Sequence, residues 1–297
     1  MGKRGCAACH NVFDRSNFSQ TQWAKAVGTS RCQGCVQIRL PVSTRESGTA
    51  RKNLSSSATF SEDAMTNPFA QGAFRWVAKG SYTNGPRSGQ ASVCKWFKTG
   101  HVMAAEFFDL DIKAMNKALD LVQQWNSHQF INQMLKVNLP AVWTFESGSR
   151  WEGQMVLQEP FIESYQKFNS NTGWADSSTD WPKVMQALSH FSYHVSGGQF
   201  VLCDLQGGVY SNGVVLTDPA ILSRDKSYGI TDLGPRGISS FFSNHRCNQY
   251  CRSNWSIPVD RQRYHAVQMG TSMAGSTMRA VPQRHSRPAL SGINEYM

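Results

Sequence analysis

The sequence predicts an α+β fold with two lobes. Three observations support this fold class: strand patterns open the central segment, amphipathic helix patterns follow them, and the central segment is dense in aromatic residues. This segment, residues 67–255, is predicted to form the main domain. No run of about 18 consecutive apolar residues occurs, so we expect no membrane insertion.

The elements of the main domain are predicted in chain order from hydrophobic periodicity. Short apolar or alternating runs predict strands, and apolar residues spaced three and four apart predict helices. Strands are predicted at 72–79, 92–97, 142–145, 154–158 and 199–203, and helices at 109–128 and 182–191. Asp204 follows the last strand directly, so a carboxylate is predicted at the end of a rigid element.

Residues 1–40 are predicted to form a small module held together by zinc. Two C-x2-C pairs are separated by 22 residues, and four thiolates satisfy the tetrahedral preference of Zn2+ with no open position. The site would therefore be structural. The predicted ligands are Cys6, Cys9, Cys32 and Cys35.

Polar segments flank the main domain on both sides. Residues 41–66 are rich in Ser, Thr and charge and predict a flexible linker, while residues 256–297 predict a disordered basic tail. The net charge of +10 lies mostly in these flanks and the module. Basic flanks allow a weaker interpretation, in which the protein associates with nucleic acid.

The N-terminus carries positive charge with no apolar stretch behind it, so no secretory signal is predicted. We therefore expect a reducing compartment, the cytoplasm or else the nucleus, in which the cysteines bind metal rather than form disulfides. No feature of the sequence predicts an oligomeric state.

A series of motifs within residues 199–251 resembles one protein family. The chain reads QFVLCDLQG, then LTDPAILS, then YGITDLGPRGISSFFSNHRCNQYC, and PFAQGAFR and KFNSNTG precede them. In this order they closely resemble the α-kinase family of atypical protein kinases, which includes elongation factor 2 kinase, myosin heavy chain kinases and channel-kinases. The resemblance covers residues 67–255 and implies a two-lobed atypical protein-kinase fold with an integral zinc site.

The resemblance implies roles for the matching residues. Asp204 would be the catalytic aspartate, Lys95 would hold the ATP phosphates, and Arg75 would contact the nucleotide. The other implied nucleotide-side residues are Glu159 and Phe161 at the connector between the lobes, Gln206 and Asp218 beside Mg2+, and Gly229 and Gly234 in a glycine-rich loop. Asp232, inside that loop, replaces an asparagine that many members carry.

The family's integral zinc site matches His190, His245, Cys247 and Cys251. Two imidazoles and two thiolates would close a tetrahedral site. His194 lies four residues after His190 on the same helix face, so it remains an alternative ligand. The N-terminal module resembles, more faintly, a small fungal type of zinc domain.

The resemblance implies an ATP- and Mg2+-dependent serine/threonine kinase that acts on a protein substrate. The alternative is a catalytically weak or inactive zinc-binding adaptor protein, which the presence of Lys95, Asp204 and Asp218 disfavours. Neither G-x4-G-K-[ST] nor H-E-x-x-H occurs. Their absence from the sequence excludes a P-loop NTPase and a zinc protease of the H-E-x-x-H type.

Overall fold

The computed structural model describes residues 2–37, 39–44 and 53–274. Strands are β1 Lys3–Gly5, β2 Val12–Asp14, β3 Arg39–Ser43, β4 Ser57–Ser61, β5 Ala70–Gln71, β6 Arg75–Tyr82, β7 Ala91–Phe97, β8 Met134–Val137, β9 Ala141–Phe145, β10 Met155–Pro160, β11 Tyr165–Lys167, β12 Phe200–Cys203, β13 Gln206–Tyr210, β14 Gly213–Thr217 and β15 Ala220–Ser223. Helices are α1 Gln20–Ala24, α2 Gln33–Gln37, α3 Glu62–Thr66, α4 Asp109–Ser127, α5 Asp180–Val195 and α6 Gly234–Asn244. None of these helices is long and apolar enough to cross a membrane.

The N-terminal lobe is built on one seven-stranded sheet in the order β4-β3-β9-β10-β7-β6-β5. An additional pairing of β4 with β6 closes the sheet on itself, so its inner face forms a core. Large aromatic side chains fill that core, among them Phe60, Tyr82 and Trp143. Their burial removes a large apolar area from water and makes the lobe a rigid support.

Strand alternation in this sheet determines where Lys95 points. Cys94 and Trp96 of β7 face the apolar core, so Lys95 between them faces the opposite side. Lys95 lies opposite Val77 of β6 and Leu157 of β10, in the middle of the sheet. The sequence pattern thus places one cation on the side of the sheet that faces the second lobe.

The C-terminal lobe packs helices α4 and α5 against two small sheets. A four-stranded sheet has the order β11-β13-β14-β8, and β12 pairs with β15. Trp125 of α4 and Phe191 of α5 meet edge to face in the core. Short connections between β12 and β13, and between β14 and β15, place Asp204 and Asp218 at strand ends.

The prediction of a flexible linker over 41–66 is corrected by the structure for the described part of that range. Strands β3 and β4 pair with each other along their length, and helix α3 follows. Leu40, Val42, Ala58 and Phe60 alternate with more exposed residues, and these four are buried. The apolar residues are few but strictly alternating, which suffices for a half-buried strand. Residues 45–52 lie outside the described residues.

The predicted disordered tail is also corrected in part. Residues 256–274 contain no helix or strand, yet side-chain and backbone hydrogen bonds hold them against the C-terminal lobe. Local patterning cannot reveal such a segment because its partners are distant in sequence. The rest of the tail, 275–297, lies outside the described residues.

Candidate active site

Lys95 lies between the two lobes in a cluster of polar groups, of which all but Asp218 are buried. Its Nζ contacts the carboxylates of Glu159 and Asp218. Thr217 donates a hydrogen bond to Glu159 Oε2 at 2.6 Å, and Asn138 Nδ2 donates to the same oxygen at 2.8 Å. Five residues from β7, β10, β14 and two connections thus converge, and we call them the Lys95 cluster.

The charge on Lys95 is maintained by its neighbours. Burial by itself lowers the pKa of a lysine, and only 7% of Lys95 is exposed. The carboxylates of Asp218 and Glu159 outweigh burial and hold the pKa of Lys95 above its ordinary value. A permanently charged amine at this position suits the binding of an anionic group such as a phosphate.

Asp204 lies in a second cluster, in the connection between β12 and β13. Lys167 Nζ donates to Asp204 Oδ1 at 2.8 Å and to Gln206 Oε1 at 3.3 Å. Lys167 is positioned because β11 pairs with β13 in a register that sets it opposite Gln206. Thr271 donates to Asp204 Oδ2 at 2.5 Å. We call these four residues the Asp204 cluster.

Burial changes the acid–base properties of Asp204, of which only 2% is exposed. Burial raises the pKa of Asp204, whereas the Lys167 ammonium and the hydroxyl of Thr271 oppose the rise. The net direction is upward. A carboxylate whose pKa is raised is a stronger base than an exposed one and can accept a proton from a hydroxyl nearby.

The backbone at both aspartates adopts the left-handed region. Asp204 has φ +58° and Asp218 has φ +46°. Non-glycine residues rarely adopt this conformation, and such strain is concentrated at functional sites. Gln206 joins the two positions, because its Nε2 donates to the backbone oxygen of Asp218 at 3.1 Å. Gln206 and Asp218 therefore lie together, and their oxygens could hold a hard cation.

Arg75 makes contacts that the resemblance did not imply. Its guanidinium forms a bidentate ion pair with Asp111 of α4, with distances of 2.8 and 2.6 Å. The rings of Phe74 and Phe97 flank it at 4.9 and 4.6 Å from the ring centroids. Arg75 is therefore engaged in joining the sheet to helix α4, and only its Nε lacks a partner among the described residues.

The predicted connector residues take different places. Glu159 lies within β10, paired with Val93, and its side chain belongs to the Lys95 cluster. Phe161 is the first residue after β10. Its backbone N–H donates to Ala91, and its ring lies 3.7 Å from the ammonium of Lys79.

The glycine-rich loop is organised by Asp232. This buried carboxylate accepts through Oδ1 from the backbone N–H groups of Ser223 and Gly234, both at 2.9 Å. Through Oδ2 it accepts from the Ser223 hydroxyl at 2.5 Å and from the backbone N–H of Tyr228 at 3.3 Å. Gly229 and Gly234 have φ of +83° and +67°, a conformation that glycine adopts without strain. An asparagine could accept only through its amide oxygen, so the aspartate accounts for the extra bonds at this position.

Comparison with known proteins decides the family. A family model described as the alpha-kinase family matches residues 70–251, which is more than half of the chain. The chain belongs to the alpha-kinase family. The matched residues include the Lys95 cluster and, apart from Thr271, the Asp204 cluster.

Curated relatives of this alpha-kinase include alpha-protein kinase 1 of Dictyostelium discoideum, 34% identical over 62% of the chain and 13% of that protein. Human eukaryotic elongation factor 2 kinase is 32% identical over 62% of the chain and 25% of that protein. The chain therefore spans a quarter or less of the length of these relatives.

Solved structures show the same fold. An alpha kinase from Entamoeba histolytica has a TM-score of 0.59 at 21% identity, covering 80% of this chain and 99% of that one. The alpha-kinase domain of myosin heavy chain kinase A, in complex with AMP, has a TM-score of 0.55 at 21% identity. That match covers 72% of this chain and 96% of that one. The two-lobed α+β prediction is confirmed at the level of the fold.

A cluster that could hold a metal ion ties helix α5 of this alpha-kinase to the segment after α6. The structure brings together His190, His245, Cys247 and Cys251, whose ligand atoms all lie within 4.8 Å of one another. Such spacing is compatible with tetrahedral coordination, in which metal–ligand distances are about 2.0–2.3 Å. His194 lies outside this group, and its Nδ1 is 3.3 Å from Ser256 Oγ.

The two histidines of this cluster are suited to metal binding. Burial lowers the pKa of His245 to about 4 and lowers that of His190, so both rings are neutral at pH 7. His245 Nδ1 lies 3.2 Å from Gln186 Oε1, and His190 Nε2 lies 3.1 Å from Ser256 O. These contacts leave one nitrogen of each ring directed towards Cys247.

The N-terminal module brings together its four cysteines as a second such cluster. Their sulfur atoms also lie within 4.8 Å of one another, between the β1–β2 hairpin and α2. Phe18 packs edge to face on Trp23 beside them. Arg31 forms an ion pair with Asp63 at 3.6 Å, which joins the module to helix α3 of the kinase lobe.

Sequence analysis assigned no role to Lys167 or Thr271. Lys167 begins the KFNSNTG motif, and its place in that motif was the signal available in the sequence. Thr271 carried no such signal, since it lies 67 residues after Asp204 in a segment without periodicity. Only the folded structure brings the two together.

Proposed function

We propose that this chain is an ATP- and Mg2+-dependent serine/threonine protein kinase. The observation that carries this proposal is the continuous polar network across the lobes. It runs from Lys95 through Asp218 and Gln206 to Lys167 and Asp204. One end presents a fixed cation, and the other presents a buried carboxylate in contact with an aliphatic hydroxyl.

The residues divide the chemistry of phosphoryl transfer between them. Lys95, held by Glu159, would bind the triphosphate by charge-assisted hydrogen bonds. Mg2+ would supply charge neutralisation for the phosphates, and Asp218 and Gln206 carry the oxygens that would hold it. Asp204 would accept the proton of the acceptor hydroxyl, and Lys167 would keep Asp204 oriented. The AMP complex of myosin heavy chain kinase A supports a nucleotide as the ligand.

The activity is tested with purified full-length protein, labelled ATP, Mg2+ and a generic basic protein substrate. We expect labelled phosphoserine or phosphothreonine in the substrate. The variant Asp204→Ala should abolish most of it, while Asp120→Ala, an exposed carboxylate on α4, should leave it unchanged. Equal labelling by the wild type and Asp204→Ala would mean a contaminating kinase and would favour the inactive adaptor.

We propose further that both cysteine-containing clusters bind structural zinc. The donor sets, four thiolates in one and two thiolates with two neutral imidazoles in the other, leave no open position on a tetrahedral ion. Elemental analysis should find two zinc ions per chain, and Cys247→Ser and Cys9→Ser should each lose one. Chelation should also lower the melting temperature, because the second cluster ties α5 to a distant segment. One zinc ion or none in the wild type would contradict the proposal.

A further inference from the structure

The four cysteines of the N-terminal module lie next to the kinase sheet along the chain. We call them the module cluster: Cys6, Cys9, Cys32 and Cys35. Helix α2, which carries Cys35, ends at Gln37, and strand β3 begins at Arg39. Because consecutive Cα atoms are about 3.8 Å apart, the start of β3 cannot move far from α2. The position of the module cluster therefore constrains the position of β3.

Strand β3 closes the sheet of the N-terminal lobe. It lies between β4 and β9, paired with β4 along its length and with β9 through Val42 and Ser43. Leu40 and Val42 are buried in the core of that lobe. Without β3, the described part of β4 would keep only its pairing with β6, and β9 would have an open edge. The strands that carry Lys95 and Glu159 would then lose support on one side.

Helix α3 makes a second connection between the module and Lys95. Arg31 of the module, only 7% exposed, forms an ion pair with Asp63 of α3 at 3.6 Å. Two residues further along α3, Met65 Sδ lies 3.5 Å from Cys94 Sγ, and Cys94 directly precedes Lys95 on β7. Both sulfur-containing side chains are buried, and a close-packed interior transmits displacements. A shift of the module would therefore reach β7 as well as β3.

The module has little besides a metal to hold its fold. In the part of the module that the structure describes, Phe18 is the one large apolar side chain that is almost fully buried. Domains below about 40 residues usually need a metal, disulfides or a partner to fold. The backbone N–H groups of Ala8 and Cys32 donate to Cys6 Sγ at 3.4 and 3.3 Å, which orients this sulfur as a ligand. Metal binding and order in the module should thus be coupled.

We propose that metal binding at the module cluster regulates ATP binding at Lys95, through β3 and α3. This rests on the proposed kinase function, because ATP is taken as the ligand of the Lys95 cluster. With Zn2+ bound to the module, β3 stays paired between β4 and β9. Without it, β3 is free to leave the sheet, and the Lys95 cluster loses its support. Coupling between two sites is reciprocal and typically about 5–150-fold, so ATP should strengthen zinc binding by the same factor.

The reciprocal effect is measured without any catalytic assay. Wild-type protein is equilibrated with increasing zinc chelator, with and without ATP in excess Mg2+, and the bound zinc is measured. The step that is missing from Cys9→Ser belongs to the module cluster. ATP should raise the zinc affinity of this step about 5–150-fold in the wild type. Lys95→Ala at the same ATP concentration should show a much smaller change, which controls for zinc binding by ATP itself.

The two proposals fail in different ways in this experiment. Zinc affinity that does not respond to ATP, in wild-type protein that binds ATP, would overturn the regulatory inference alone. An ATP dissociation constant in Cys9→Ser equal to that of the wild type would do the same. Zinc-loaded wild-type protein that binds no ATP at all would contradict the proposed function itself.

Variants of the ion pair separate coupling from metal binding. Arg31→Met removes the contact with Asp63 but keeps all four cysteines, so the protein should retain two zinc ions. The effect of ATP on zinc affinity should be smaller than in the wild type, and Asp63→Asn should match it. Asp14→Ala, exposed on β2 of the same module, should behave as the wild type does. Full coupling in both ion-pair variants would overturn the assignment of a route through α3.

Discussion

The Lys95 cluster and the Asp204 cluster each pair a lysine with a buried carboxylate. They differ in the other groups that contact that carboxylate. Glu159 forms an ion pair with Lys95 and accepts hydrogen bonds from Thr217 and Asn138, all within strands or short connections of the folded lobes. Asp204 is completed by one lysine and by the hydroxyl of a segment that has no secondary structure. The first is a fixed network that holds a charge. The second has an exchangeable position for a hydroxyl.

This difference implies a division of labour between binding and chemistry. A fixed ammonium contributes equally before and during the reaction, which favours binding of a phosphate group. A buried base acts only when a proton moves, which changes the rate. Substitutions in the two clusters should therefore affect different kinetic constants.

The largest effect is expected from Asp204→Ala. Removal of a general base or orienting group costs about 10²–10⁴-fold in kcat. Steady-state kinetics with a basic protein substrate measure this loss. Cys203→Ala, the adjacent core residue, is the control for damage to the strand and should keep kcat near the wild-type value. A comparable loss in both variants would attribute the effect to packing.

The next largest effect is expected from Lys95→Ala, in affinity rather than in chemistry. Loss of hydrogen bonds to a charged group costs about 1.5–3 kcal/mol, which weakens ATP binding about 10–150-fold. Equilibrium titration with ATP and Mg2+ measures it. Lys79→Ala, on the neighbouring strand but beside Phe161, serves as a control for charge. An unchanged dissociation constant for ATP in Lys95→Ala would contradict the assignment of ATP binding to the Lys95 cluster.

The Asp204 cluster should also determine how kcat depends on pH. Burial raises the pKa of Asp204 and Lys167 opposes the rise, so kcat should fall as the pH is lowered through that pKa. Lys167→Met removes the opposing charge and should move the acid limb of the profile to higher pH. Lys167→Arg should restore it, and Lys183→Met, exposed on α5, should not move it. A limb that stays in place in Lys167→Met would show that Asp204 is not the titrating group.

The sequence predicted those parts that depend on local pattern. Strand β7 was predicted at 92–97 and runs over Ala91–Phe97, because its short apolar run is a local pattern. Strands β3 and β4 were missed because their only large buried residues are Leu40, Val42 and Phe60, and their partners lie far along the chain. Sheet closure is a long-range property that short windows do not contain.

In the candidate site, too, local motifs predicted some residues, whereas contacts set by long-range packing were not predicted. Motif order was enough to select Lys95, Asp204 and Asp218, which polar contacts connect in the structure. The ion pairs of Arg75 with Asp111 and of Lys167 with Asp204 arise from helix packing and strand register. Residue types alone do not determine such pairs, since each lysine and arginine has several acidic residues available.

The smallest predicted effect concerns stability. Thr217→Val deprives the buried Glu159 of a donor and should lower the free energy of unfolding by about 1–3 kcal/mol. Thr271→Val removes the equivalent donor from Asp204, but its segment lies outside the cores, so global stability should stay unchanged. Urea denaturation of both variants measures the difference. Equal losses would show that the second cluster is as much a part of the core as the first.

The central claim is that the two clusters separate ATP binding from transfer. The most direct measurement is the equilibrium dissociation constant for ATP in the presence of Mg2+, determined for Asp204→Ala and Lys95→Ala on the same preparations used for kcat. The account predicts that Asp204→Ala binds ATP as the wild type does while kcat collapses, and that Lys95→Ala binds ATP weakly. Loss of ATP binding in Asp204→Ala, with normal binding in Lys95→Ala, would contradict it.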